Sequence, residues 1–255
     1  MHKITIVKVG GKIINEKELL REFLKEFSKI PGMKILVHGG GRSASIMLTA
    51  LGIEPRMHEG RRITDADTLE VCVGQYAGNI NKRIVAMLQS MDVDAMGLSG
   101  ADGGLIKAVK RAPHPFDYGY AGDIQSVEVD KILGLLQLGY TPVFCAVTAD
   151  QSGQLLNTNA DTIASSIAVS LSAKAETDLR FCFEYKGVLE DLDSCKVIRT
   201  INMESYQSLI DQEILHGGIL PKVQNAITAI NNGVDKVSIC GISNLIELNN
   251  STTIL

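Results

Sequence analysis

No Cys-x-x-Cys pair occurs among the five cysteines, Cys72, Cys145, Cys182, Cys195 and Cys240, which are scattered and odd in number. Such spacing argues against a disulfide framework and a zinc site, and predicts mostly buried small hydrophobes. Runs of like charge are also missing, and the formal net charge is only -4. A main partner that is nucleic acid or an anionic membrane is therefore not expected, and any anion site must be local. No apolar stretch approaches the roughly eighteen residues a membrane span needs, and Met1 is not followed by a charged segment plus a long apolar one. The expectation is a soluble, cytoplasmic protein. A Walker A loop is absent too, so a nucleotide would have to be held by another scheme.

What is present is an apolar chain, 45% hydrophobic over 255 residues, with ample material for a sizeable core. Ile4 to Val9 reads as a buried strand stopped by Gly10-Gly11, and Glu16 to Lys29 puts Leu19, Leu20, Phe23, Leu24 and Phe27 on one helical face. Lys34 to Val37 predicts a second strand, and Ala44, Met47, Leu48 and Leu51 a second helix closed by Gly52. Thr64 with Asp67 three residues on has the form of a capping box before a long helix reaching Met87. Gly74 and Gly78 on that helix suggest a subunit contact. Further strands are expected at Asp92 to Ser99, Thr141 to Val147, Leu179 to Phe183 and Lys236 to Cys240. A hairpin is expected from Leu105 to Arg111 and Tyr118 to Val127, and helices at Asp161 to Leu171, Met203 to Ile210 and Pro221 to Asn231. This alternation predicts a three-layer αβα sandwich around a mainly parallel sheet. No linker, low-complexity tract or internal repeat separates lobes, and connectivity alone places a soft boundary near residue 177.

Lys8-Val9-Gly10-Gly11 sets a lysine at the carboxyl end of a buried strand, where ligands bind in open α/β sheets; a strand-end lysine before an ordinary turn has the same form. His38-Gly39-Gly40-Gly41 ends the second strand, and through Ala44 it also fits a dinucleotide fingerprint. That rival needs an acidic residue ending a following strand, and Leu51 to Pro55 has little strand character. His38 is expected to orient the glycine loop rather than to act as a base. Arg61 and Arg62 precede a helix and could clamp a carboxylate or simply be solvated. Asn157, Asn159 and Asp161 crowd another helix start, more polar groups than capping requires. Gly217 to Lys222 delivers a lysine into the first turn of a helix, against the dipole unless an anion lies nearby.

Taken together, Lys-Val-Gly-Gly at 8 to 11, His-Gly-Gly-Gly at 38 to 41, Gly-Arg-Arg-Ile-Thr at 60 to 64, Asn81-Lys82, Gly-Leu-Ser-Gly-Ala-Asp-Gly at 97 to 103, Asn-Thr-Asn-Ala-Asp at 157 to 161 and Gly-Gly-Ile-Leu-Pro-Lys at 217 to 222 resemble the amino acid kinase family, in its acetylglutamate kinase branch. The resemblance spans nearly the whole chain. It implies that residues 1–177 hold the acylated amino acid and that 178–255 hold ATP, whose phosphates carry Mg2+. Gly40, Gly41, Arg62 and Asn157 would bind the amino acid substrate. Lys8 and Lys222 would stabilise the transferring phosphoryl group, Gly11 would offer a backbone N–H, and Asp161 would hold the lysines. Gly10, Glu184, Lys186, Gly187, Leu189, Ile214 and His216 would line the nucleotide site; no protein metal ligand is implied.

The implied reaction is ATP-dependent phosphorylation of the γ-carboxylate of N-acetyl-L-glutamate, a step of arginine biosynthesis. Other N-acylglutamates such as N-succinylglutamate, and other amino acid kinase substrates, stand as alternatives, as does a non-catalytic nucleotide or amino-acid sensor. Two departures fall in the nucleotide lobe. Where the family has a Ser/Thr-Asp pair after the strand this chain reads Phe183-Glu184-Tyr185-Lys186-Gly187, and Ser251-Thr252-Thr253 replaces its Gly-Thr near the C-terminus. The chain opens on its first strand rather than on the helix found in hexameric relatives, so a homodimer without arginine feedback is the expectation.

Overall fold

A computed structural model describes residues 2–191, 196–215 and 219–255. In chain order the strands and helices are β1 (Lys3–Val9), α1 (Gly11–Asn15), α2 (Lys17–Ser28), β2 (Met33–His38), α3 (Gly41–Ala50), β3 (Met57–His58), β4 (Arg61–Arg62), α4 (Ala66–Val73), α5 (Asn81–Gln89), β5 (Ala95–Leu98), β6 (Ile106–Lys110), β7 (Gly122–Val127), α6 (Val129–Gln137), β8 (Thr141–Cys145), β9 (Val147–Ala149), β10 (Leu155–Asn157), α7 (Ala160–Ser172), β11 (Glu176–Cys182), β12 (Thr200–Ile201), α8 (Met203–Asp211), α9 (Leu220–Asn231), β13 (Lys236–Cys240) and β14 (Thr252–Ile254). The main sheet runs β12-β14-β13-β11-β1-β2-β8-β5 and is parallel except between β13 and β14.

The central strands are apolar on both faces because both faces are covered. Ile4, Ile6, Val7 and Val9 of β1 are all fully buried, as are Ile35, Leu36 and Val37 of β2. On one side α7 packs against β1, β2 and β11 and meets α6 and α9; elsewhere α5 packs against β5 and β8 and meets α2. Helix α2 turns Leu20, Phe23, Leu24 and Phe27 inward, the spacing of a single helical face. The result is the αβα sandwich with a mainly parallel sheet, and the sheet passes unbroken from β1 to β11, across the soft boundary near residue 177.

Several local expectations are corrected. Asp65, not Thr64, caps α4, its carboxylate accepting from Thr68 N–H at 2.9 Å, while the buried Thr64 side chain is engaged inside the molecule. The long helix contains a π-helical stretch, Gly74–Ile80, between α4 and α5. The third strand begins at Ala95, three residues later than expected, and Thr141 to Val147 divides into β8 and β9. The β6–β7 hairpin is present, but it joins β9 and β10 in a second sheet, order β10-β9-β6-β7. Strands of three residues, as in β9 and β10, are too short for periodicity to reveal. After α3 the chain enters the antiparallel β3–β4 pair rather than a strand of the main sheet, so the dinucleotide-fold reading of the second glycine loop lacks its third strand.

Candidate active site

The two glycine loops lie side by side because β1 and β2 are in register, with Lys8 opposite Val37 and Val9 opposite His38 at their carboxyl ends. Gly10 N–H donates to the Cys182 carbonyl at 2.9 Å, and a β-carbon there would rest 3.4 Å from that oxygen and from Phe183 Cβ. Gly11 opens α1 with no neighbour within 4 Å of where a β-carbon would stand, leaving its backbone approachable. Asn15 ties the loops together: its Nδ2 donates to the Gly11 carbonyl at 2.5 Å, and its Oδ1 accepts from Ser43 of α3 at 2.8 Å.

At the end of β1, buried Lys8 places Nζ 2.7 Å from Asp161 Oδ1, an ion pair by distance rather than an aligned hydrogen bond. Asp161 stands in the first turn of α7, where the helix dipole favours a carboxylate. The capping itself is done by Asn159, whose Oδ1 accepts from Asp161 and Thr162 N–H at 2.8 and 3.1 Å. Lys222 projects from the first turn of α9 into the same neighbourhood. Burial pushes its ammonium pKa below the usual range and the charge of Lys8 adds to that, while Asp161 and Glu184 act in the opposite direction. A site that destabilises a cation with another cation is one prepared for added negative charge.

On the far side of the glycine loops the guanidinium of buried Arg62 donates through Nη2 to the Gly41 carbonyl at 2.8 Å and to Ser45 Oγ at 2.7 Å. Its Nη1 is buried without a hydrogen-bond partner. Half of a guanidinium fork is thus held by protein and the other half left for an acceptor, the layout that suits a carboxylate. Asn157 joins this group through Thr64, which accepts from Asn157 Nδ2 at 3.0 Å and donates to the Arg62 carbonyl at 3.1 Å. Gly40 lies so close to the helix below that a β-carbon would stand 2.5 Å from both Tyr76 Cδ1 and Ile80 Cδ1. The loop can sit this low only without a side chain.

His38 behaves as a spacer in this assembly. It is fully buried, its Nδ1–H donates to the Gly39 carbonyl at 2.8 Å, and Asn81 Nδ2 donates to its Nε2 at 3.0 Å. The second Asn81 hydrogen goes to the Val143 carbonyl at 2.9 Å, so the network requires one neutral tautomer. Burial lowers the imidazole pKa from 6.5 to about 4, with the Gly39 bond opposing the shift.

Lys8, Gly10, Gly11 and Lys222 border one end of a cavity of about 780 Å³, which Glu184, Gly187, Leu189 and Ile214 also line. Lys186 faces instead a separate cavity of about 500 Å³ beside Asn244. His216 lies outside the described residues, as do Gly217, Gly218 and Cys195. Sequence reasoning did not single out Lys12, Glu190 or Glu213, which share the larger cavity, nor Asn15 and Ser45, which brace the loops; isolated polar residues on helices and loops carry no pattern. Among the described residues no group of three or more His, Cys, Asp or Glu could hold a metal ion, and no helix is long and apolar enough to cross a membrane. Cys72, Cys145, Cys182 and Cys240 are buried thiols.

The sequence model of the amino acid kinase family matches residues 3–241. A Parabacteroides distasonis protein named acetylglutamate kinase is 46% identical over 96% of this chain and 96% of its own length, and one of that name from Cytophaga hutchinsonii is 46% identical over 98% and 96%. An acetylglutamate kinase of the more distant Methanopyrus kandleri is 37% identical over 95% of this chain and 96% of its own. Among solved structures, a Streptococcus mutans protein superposes with a TM-score of 0.78 at 22% identity, covering 98% of each chain. Giardia carbamate kinase gives 0.69 at 14% identity over 100% of this chain and 98% of its own, a likeness of fold alone.

Proposed function

The chain belongs to the amino acid kinase family, and from that premise we propose that it transfers the γ-phosphoryl group of ATP to the γ-carboxylate of N-acetyl-L-glutamate, forming N-acetyl-L-glutamyl 5-phosphate and ADP in arginine biosynthesis. The observation that carries this is the position of Lys8, Asp161 and Lys222. Lys8, paired with Asp161, and Lys222 border a cavity of nucleotide size, at the sheet edge shared with the glycine loop that Arg62 braces.

A side-chain carboxylate of pKa about 4.3 is already an ionised nucleophile near neutral pH, so no general base is needed. One carboxylate oxygen attacks the γ-phosphorus as the bond from that phosphorus to the oxygen bridging to the β-phosphate breaks. The electron pair leaves on ADP. The obstacle is the approach of one anion to another, and catalysis rests on alignment and charge neutralisation. Lys8 and Lys222 would flank the moving phosphoryl group, Gly11 N–H would bind one of its oxygens, and Asp161 would keep the two ammonium groups apart and aimed. Magnesium carried on the nucleotide phosphates would neutralise part of their charge; oxygen donors such as Glu184 at this cavity suit so hard a cation.

Arg62 with its free Nη1, the Gly40-Gly41 backbone and Asn157 would hold the amino acid by its other polar groups. Residues 1–177 would thereby serve the acceptor and 178–255 the nucleotide, Gly10, Gly187, Leu189 and Ile214 lining its site. Lys186 would contribute only from its margin. Ile46 and Met47 on α3 and Leu51 at its carboxyl end are exposed, α3 packs against α4, and this apolar surface supports a homodimer. The cytoplasm, where ATP is maintained, is the proposed compartment. The test is ADP release with N-acetyl-L-glutamate and N-succinyl-L-glutamate compared at equal concentration. Turnover with the acetyl substrate is expected, and silence with both would overturn the proposal.

A further inference from the structure

Tyr185, Gly187, Val188 and Leu189 line the larger cavity without belonging to any helix or strand of the main sheet; an antiparallel bridge of Leu189 with Val197 ties down their carboxyl end, Ile198 N–H donating to the Val188 carbonyl at 2.8 Å. Two buried side chains, one on β14 and one in the turn after β13, fix the rest. Thr252, the first residue of β14 and fully buried, accepts from the Val188 N–H through Oγ1 at 2.8 Å and donates the same hydroxyl to the Ile198 carbonyl at 2.6 Å. Asn244, in the turn after β13, donates through Nδ2 to the Lys186 carbonyl at 2.9 Å and to the Asn249 carbonyl at 2.9 Å, while its Oδ1 accepts from Gly241 N–H at 2.7 Å. Every polar atom of both side chains is spent on backbone.

The fit around these clamps is tight. A β-carbon on Gly187 would stand 2.8 Å from Thr252 Oγ1 and 2.6 Å from Val197 Cγ1, and one on Gly241 would stand 2.9 Å from the Tyr185 carbonyl oxygen. The segment is therefore gripped at Tyr185 and Lys186 from the turn after β13, and at Gly187 and Val188 from β14. Neither Thr252 nor Asn244 stands in a motif attributed above to the acceptor or the phosphoryl group.

Resting on the nucleotide assignment of this cavity, we infer that Thr252 and Asn244 are positioning residues for the nucleotide: they pre-form the wall against which the nucleoside end of ATP is held. An unclamped segment would have to be ordered by the ligand, and that cost falls on nucleotide affinity alone. Among the described residues the acceptor half, braced by Arg62, Asn157 and His38, shares no hydrogen bond with it.

The test compares Thr252→Val, which keeps the shape and removes the acceptor oxygen, with Thr252→Ser, which keeps the oxygen. Valine should raise the KM for ATP and the dissociation constant of a non-hydrolysable ATP analogue by about tenfold, with the KM for the acylglutamate little changed; serine should restore most of the loss. Equal effects on both substrates, or valine and serine behaving alike, would overturn the inference. Wild-type turnover is measured first, so that failure of the kinase assignment is seen separately, and analogue binding reads the clamp without turnover. Should the valine variant not fold, hydrogen exchange in the wild-type protein decides: the Val188 amide should be protected before nucleotide is added, and rapid exchange there contradicts a pre-formed wall.

Discussion

Acid should weaken this fold through His38 before its carboxylates respond. Completely buried, with Nδ1–H committed to the Gly39 carbonyl and Nε2 accepting from Asn81, the imidazole has a pKa of about 4 rather than 6.5. Protonation would set an N–H at Nε2 against the Asn81 N–H, donor facing donor. Between the two pKa values the unfolded chain binds a proton that the native state refuses, so stability is complete above the unfolded pKa and declines as pH falls. The loss amounts to about 2 kcal/mol by roughly pH 5 and about 3 kcal/mol once the native imidazole also titrates. Asp65, Asp150 and Glu128 are all held below their ordinary values, by hydrogen bonds from Thr68, Ser152 and Lys107 respectively, so their losses begin at lower pH. Urea unfolding from about pH 7.5 to pH 5 measures the slope, and His38→Gln, which cannot titrate, should flatten it. An NMR titration placing the His38 pKa near 6.5, or an equal slope in both proteins, would refute the reasoning.

Other perturbations separate the roles of neighbouring groups. Lys222→Ala should lower kcat by roughly two to three orders of magnitude in an ADP-release assay while leaving the thermal midpoint intact, since burial already disfavours that ammonium. Arg62→Lys keeps the charge but not the fork, and should raise the KM for acylglutamate about tenfold or more without a matching change for ATP. Gly40→Ala should cost about 1 to 3 kcal/mol in denaturant unfolding and weaken the acceptor selectively, because its methyl group would meet the Tyr76 ring.

Much of the sheet was legible because buried parallel strands read as unbroken apolar runs: β1, β2, β11 and β13 fall where Ile4, Lys34, Leu179 and Lys236 predict them, within a few residues. The anchors proposed for the candidate site stood out for a related reason. A lysine ending such a strand, and glycines following it, contradict the local pattern, and at Lys8 and Gly40 the contradiction has a physical cause in the Asp161 pair and the Tyr76 contact. The crowded helix start at Asn157 resolved into three jobs, with Asn159 capping, Asp161 pairing with Lys8 and Asn157 reaching Thr64. What stayed hidden depends on residues distant in sequence. Asn157 and Thr64 are ninety-three positions apart, Val188 and Thr252 sixty-four, and neither pair leaves a trace in any window of sequence. The second sheet was missed because β9 and β10 take their place from partners rather than from their own composition.

Trapping the product most directly tests phosphoryl transfer to a carboxylate. With ATP, magnesium and N-acetyl-L-glutamate present, added hydroxylamine should convert the acyl phosphate into a hydroxamate in amounts equal to the ADP released, and neither should form when the acylglutamate is omitted. ADP appearing without hydroxamate, or no ADP from any N-acylglutamate, would contradict a carboxylate kinase.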